Sequence, residues 1–251
     1  MAFIQQIQGF VSRVLPGPAG DTNAVNVRST RYGDLSAQLL HAKKHGLAEE
    51  GTYFVSTNPT PGTGVAGPVN ASFSATGPFF AFVNNNPAGG ARASLDYLKI
   101  IPTVAPASAT GAHLVVVRDQ ISRALTTDNT VVATPVNVNG DSANKAASIF
   151  KYTVTTINVA AAATPTAAIV ARASVSGIPV IGDELVFDFG ATDTGAYPGL
   201  TAGQVTAGGR KVSVLPPVIC APQQLLFFYL WFPGNAATGV SYEFELGHWE
   251  R

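Results

Sequence analysis

From Thr52 onward, apolar and polar residues trade places with a period of two, in short runs broken by Gly, Pro and Asn. Val69, Ala71, Phe73 and Ala75 alternate with Asn70, Ser72 and Ser74. Leu185, Phe187 and Phe189 alternate with Glu184 and Asp188, and Tyr242, Phe244 and Leu246 with Glu243 and Glu245. Side chains on a strand point to opposite faces in turn, so each run predicts a strand with one buried and one solvated face. Further strands are predicted at 79–83, 95–101 and 114–117, at Val212 and Val214, and from Tyr152 and Val154 with a bulge before Ile157 and Val159. Residues 225–232 are apolar on both faces, which predicts a central strand covered on both sides. On an open edge the same run would invite aggregation. Residues 160–173, rich in Ala and Thr around Pro165, read as a loop or spacer. Roughly eight to ten strands punctuated this way predict an all-β fold, a jelly-roll-like β-sandwich.

Ahead of the strands the period changes. Asp34 is placed to cap a short helix carrying Leu35, Leu39 and Ala42 on one face, with Lys43, Lys44 and His45 near its negative end and Gly46 as its stop. Residues 1–33 read as an extended N-terminal arm and 34–251 as the sandwich body. Within the arm, Phe3, Ile7, Phe10 and Val14 fall on one side of a short helical stretch weakened by Gly9, and Pro16-Gly17-Pro18 cuts it off. These four are too apolar for a free tail, so they are candidate interface residues. Trp249 joins them, on the strand face shared by Glu243 and Glu245.

Composition sharpens the picture. Charged residues make up only 12% of the 251, where an average soluble domain carries about 25%. A chain so poor in charge is expected to hide much of its surface in an assembly. Fifteen basic and fifteen acidic residues cancel, which argues against a direct pull on nucleic acid or an anionic membrane. The single cysteine, Cys220, rules out an internal disulfide framework and reads as a buried small residue. The first eight residues lack the basic start and apolar stretch of an export signal, and the longest apolar run falls short of the about 20 residues a spanning helix takes. A protein made and assembled in the cytosol is expected.

The motifs that carry chemistry each fail on context. Gly62-Thr63-Gly64-Val65-Ala66-Gly67 has the letters of a dinucleotide-binding turn, but no apolar strand precedes it and no acidic residue lies about 20 positions on. His41 and His45 have the spacing of metal ligands on a helix, without a third ligand beyond Glu49 or Glu50. Asp183, Glu184, Asp188 and Asp193 form the densest acidic group, with Glu184 and Asp188 expected to be solvated strand residues rather than a calcium loop or a carboxylate pair. Asn70-Ala71-Ser72 is a glycosylation sequon in form only. Phe73, Phe79, Phe80 and Phe82 do not interleave with basic residues and read as core. No catalytic residue, cofactor or metal site is expected, and the chain does not read as an enzyme.

Leu40-His41-Ala42 with His45-Gly46, then Gly51-Thr52-Tyr53-Phe54-Val55, then Phe82-Val83-Asn84-Asn85-Asn86-Pro87, and the ending from Tyr242 to Glu250-Arg251 together resemble a group of tailed-bacteriophage virion proteins. The likeness covers about residues 34–102 and the last ten. It implies a jelly-roll-like particle component located in the virion and assembled in the host cytoplasm, and it transfers no catalytic residue. The expected role is a capsid decoration or cement protein, acting through contacts with its own copies and with other virion proteins such as the major capsid protein. A homo-oligomer is expected, a trimer by analogy with other jelly-roll subunits. The alternatives are a head-fibre, neck or tail component, or a host-surface glycan-binding module, for which Tyr197 or Trp249 would supply the exposed aromatic ring.

Overall fold

The computed structural model describes residues 8–9, 25–26, 43–67, 71–75, 77–105, 111–120, 130–152, 168–177, 179–190, 209–233 and 240–251. They form β1 (Gln8–Gly9), β2 (Val25–Asn26), α1 (Lys43–Glu49), β3 (Tyr53–Thr57), β4 (Val65–Ala66), β5 (Phe80–Asn84), β6 (Ala93–Val104), β7 (Gly111–Gln120) and β8 (Val131–Ala133). These are followed by β9 (Val136–Asn137), β10 (Ser148–Tyr152), β11 (Ala168–Ser176), β12 (Glu184–Phe189), β13 (Arg210–Leu215), β14 (Ile219–Cys220), β15 (Gln224–Trp231) and β16 (Ser241–Glu250).

Two sheets carry the fold. One has six strands in the order β11-β7-β15-β5-β10-β8. The other has eight, with β13-β12-β6-β16-β3-β9 in sequence and β14 and β4 attached to β6 and β16. Neighbours are antiparallel except β12 and β13, which run parallel. The inner faces meet in one core, where the Phe244 ring of the larger sheet lies 5.1 Å from Phe80 and 5.5 Å from Phe150 of the smaller. Each such side chain stabilises by roughly 1.5–3 kcal/mol when fully buried. The fold is an all-β sandwich.

β15 is the two-faced strand that its sequence predicts. Leu226, Phe228 and Leu230 enter the core, while Leu225, Phe227 and Tyr229 join Ala81, Val83, Val115 and Val117 in a second buried cluster on the outer face of the same sheet. β12 and β16 also follow their period-two patterns in their core-facing residues.

Several expectations need correction. Gly46 does not stop the helix, which runs on to Glu49. Its end is at Gly51, held at φ 67°, where the Thr52 N–H bonds the Leu47 carbonyl and the Gly51 N–H bonds the Ala48 carbonyl. That is the left-handed glycine cap, five residues later than the sequence suggests. Asp34 and the rest of 34–42 lie outside the described residues. In the arm, Gln8 and Gly9 pair with Val25 and Asn26 as a small antiparallel bridge rather than continuing a helix. Gly9 favours that outcome, because glycine gives up the most backbone freedom in a helix. Val154, Ile157 and Val159 lie outside the described residues, as do Val69 and Asn70.

The expected strand around Phe73 does not form, for residues 71–75 carry no strand and the Phe73 ring is 46% exposed rather than core. Conversely, the second half of the Ala/Thr-rich segment is a strand, β11. Ala171, Ala173 and Val175 face the core there and Arg172, Ser174 and Ser176 face out. Small side chains of low strand propensity, plus a bulge between Ile169 and Ala171, hide the period. Asp188 is buried, not solvated, because its strand is covered on both faces along Leu185, Val186, Phe187, Asp188 and Phe189. Asp193 lies outside the described residues.

Candidate functional site

Where the motifs that suggested chemistry fall among the described residues, packing and hydrogen bonds hold them in place. In the Gly62–Gly67 segment, Gly62 turns the chain at φ 79° and Val65–Ala66 leads on as β4, alongside Tyr242 and Ser241, where a dinucleotide site would need a helix. A Cβ on Gly67 would overlap the Tyr242 ring, and one on Gly64 would overlap the Thr103 hydroxyl. Asn84 is fully buried and ties its turn together, donating to the carbonyls of Ala91 (3.0 Å) and Cys220 (2.9 Å) while its Oδ1 accepts from the Asn86 backbone (3.0 Å). Asp183 pairs with Lys211 at 3.0 Å and accepts from the Val180 N–H. Burial pushes the Cys220 thiol up to about 12, against the smaller pull of its Asn84 hydrogen bond and Arg118, so it is no nucleophile. His41 and the side chain of His45 lie outside the described residues. Among the described residues no three His, Cys, Asp or Glu side chains gather as metal ligands.

Trp249 stands half-buried on the outer face of the larger sheet, paired across from Tyr53 and two residues from Gly247. Its neighbours there are polar. The Tyr53 hydroxyl donates to Asp96 (2.6 Å), the Tyr97 hydroxyl donates to Glu245, and Lys99 pairs with Glu245 at 3.0 Å. Burial first, then the carboxylate each hydroxyl faces, push both phenols well above their ordinary range. Both remain neutral donors. Gly247 leaves the room the two tyrosine rings occupy, since a Cβ would overlap both. Phe3, Ile7, Phe10 and Val14, the other candidate interface residues, lie outside the described residues, as does Tyr197.

A concave site opens on the outer face of the smaller sheet, and cross-strand register builds it. Ser174 of β11 lies opposite His113 of β7, which lies opposite Trp231 of β15. The next outward row is Arg172, Val115 and Tyr229. His113 and Trp231 are stacked, 5.2 Å apart and 11° from parallel. Phe73 comes over from its loop, 5.0 Å from Tyr229 and edge-on to Trp231 at 5.8 Å. The Tyr229 hydroxyl donates to the Ala75 carbonyl at 3.0 Å and pins that loop. The result is a groove of about 420 Å³ lined by Phe73, His113 and Trp231 and by Arg172 and Ser174, with no carboxylate among its described lining residues. That volume is in the range of small-molecule sites.

Sequence reasoning missed this groove. Trp231 reads there as the end of a core strand and Phe73 as core, and His113, Ser174 and Arg172 come together only through pairing of three strands distant in sequence. The one local signal is an aromatic residue at the end of a two-faced strand, where cover gives out. No family model, curated protein or solved structure matches the chain.

Proposed function

We propose that this chain is a structural subunit of a bacteriophage particle, a jelly-roll-like capsid decoration or cement protein that works by adhesion and not by catalysis. What supports this reading is the placement of exposed β-branched residues at the sandwich edges. β8 and β9 are the edge strands of the two sheets at one end of their orders, and Val131, Val132, Val136 and Val138 are all exposed there, Val136 at 65%. At the opposite edges, Ile169 of β11 and Val214 of β13 are exposed as well. Apolar residues on two separate edges of a charge-poor chain suit head-to-tail contact between copies. Such a contact closes as a ring, with three copies the arrangement favoured.

The arm, with Phe3, Ile7, Phe10 and Val14, and the outer face bearing Trp249 are then the surfaces toward other virion proteins such as the major capsid protein. The test is to find the protein in purified virions, locate its density on the shell, and measure loading of a chain lacking residues 1–18. Loading is expected to fall sharply while the thermal midpoint of the isolated protein moves by only a few degrees, the scale of about one kcal/mol. Absence from purified particles would overturn the reading.

A further inference from the structure

The groove over Trp231 calls for a ligand of mixed character. Its lining holds three aromatic rings, of which Phe73 is the most open at 46% exposed. A ring face carries negative charge density and attracts the weakly positive C–H groups of a flat ring. Its rim presents Arg172 and Ser174, both exposed, which a purely apolar occupant would desolvate without a partner. A nucleic acid strand would need a basic track, and Arg172 is the one charged residue among the described lining residues. A pyranose fits both demands, having a C–H face and a rim of hydroxyls. A carboxylate on the sugar would meet the planar fork of an arginine, with no acid among the described lining residues.

We propose that this groove binds an acidic saccharide, its ring lying on Phe73 beside the stacked His113 and Trp231 and its carboxylate on the Arg172 guanidinium. Ser174, on the strand row beside His113, supplies a hydroxyl to the sugar's rim. The groove lies on β11, the edge strand that also carries Ile169. Binding is therefore measured on the Val131→Lys, Val136→Lys double variant as well, whose substitutions lie at the opposite edges, so the two readings can fail separately.

The test titrates the full chain with cellobiouronic acid and with neutral cellobiose by calorimetry, following the Trp indole resonances by NMR. The acidic sugar is expected to bind at least about tenfold more tightly, the scale of one hydrogen-bonded charge pair. Arg172→Gln is expected to erase that preference, and Trp231→Ala to abolish binding of both sugars. Ser174→Trp, on an exposed position, fills the groove without touching the core and is expected to block binding even if Trp231→Ala does not fold. Equal affinity for the two sugars overturns the proposal, as does no saturable response by about 10 mM. So does acidic-sugar binding that survives Ser174→Trp, or a response to a proline-rich peptide with none to either sugar.

Discussion

His248 Nε2 lies 3.7 Å from Glu250 Oε1, two residues along the same face of β16, and the imidazole between them and the core is fully buried. The ring stacks on Phe54 and meets Phe82 edge-on, and neither nitrogen has a hydrogen-bond partner among the described residues. Burial holds the ring below its ordinary range despite the nearby carboxylate, so it is neutral in the fold. Burial alone would raise Glu250, but His248 and the backbone N–H groups of Ser148 (2.8 Å) and Ala147 (3.2 Å) outweigh it and hold the carboxyl down at about 2.

Both groups therefore take up a proton more readily in the unfolded chain. The unfolded state binds more protons as pH falls, so stability is full at neutral pH and declines toward acid. His248 contributes its loss as pH drops below 6.5, and Glu250 its loss from 4.5 down toward 2. Thermal midpoints measured across pH 7.5 to 3 are expected to fall in both windows. His248→Phe is expected to flatten the upper one and Glu250→Gln the lower. Unchanged slopes in both variants would show that the acid response comes from elsewhere.

Phe227 and Phe228 are consecutive and point to opposite faces, yet exposure is near zero for both. Truncation to Ala is therefore expected to cost a comparable amount at each, about 3–5 kcal/mol. Chemical denaturation gives the comparison. A mild effect at Phe227 would mean that the outer cluster of the smaller sheet contributes little to folding.

The legible parts of this fold are those where a single segment carries its own answer. Residues 225–232 are apolar at every position, so no register is needed to place them at the centre of a sheet. Tyr242, Phe244 and Leu246 likewise declare their face by alternation. β11 was hidden because alanine and serine make a weak contrast and a bulge breaks the count. The burial of Asp188 is not legible because a local pattern cannot show that a second face is also covered. The groove was invisible for a different reason: its wall is a row across β11, β7 and β15, and Ser174, His113 and Trp231 are neighbours only after the sheet has formed.

The two glycines at the ends of the 62–67 segment are held by different forces, and substitution separates them. Gly62 needs its positive φ but has open space around it, so Gly62→Ala is expected to cost about 1 kcal/mol, from backbone strain alone. Gly67 lies against the fully buried Tyr242, which stacks on Phe232 at 5.6 Å and 12°. Neither ring can withdraw, so Gly67→Ala is expected to cost more, about 1–3 kcal/mol. Equilibrium unfolding of the two variants decides it. A larger penalty at Gly62 than at Gly67 would contradict the packing account of the motif.

Val136 offers the sharpest test of assembly. β9 is only two residues long, and its backbone pairs with Phe54 and Val55 of β3. The local structure does not depend on the valine side chain, because Asn137 anchors the strand by donating to the Gly51 carbonyl at 2.9 Å and the Asn144 carbonyl at 3.2 Å. A lysine on an edge strand is a common natural guard against edge-to-edge pairing. Val136→Lys, alone and with Val131→Lys, is thus expected to leave folding within about 0.5 kcal/mol, as exposed substitutions generally do. If the edge valines join copies of the chain, each lysine must be desolvated in the contact, and the complex should come apart. Light scattering on the native chain is expected to give a multiple of the monomer mass, and on the double variant the monomer mass at the same concentration. A native chain that is monomeric at tens of micromolar, roughly the range in which weak contacts already register, would remove the edges as the adhesive surface. A double variant that stays assembled would move the contact to the face that carries Trp249, where Trp249→Ala is the variant expected to release it.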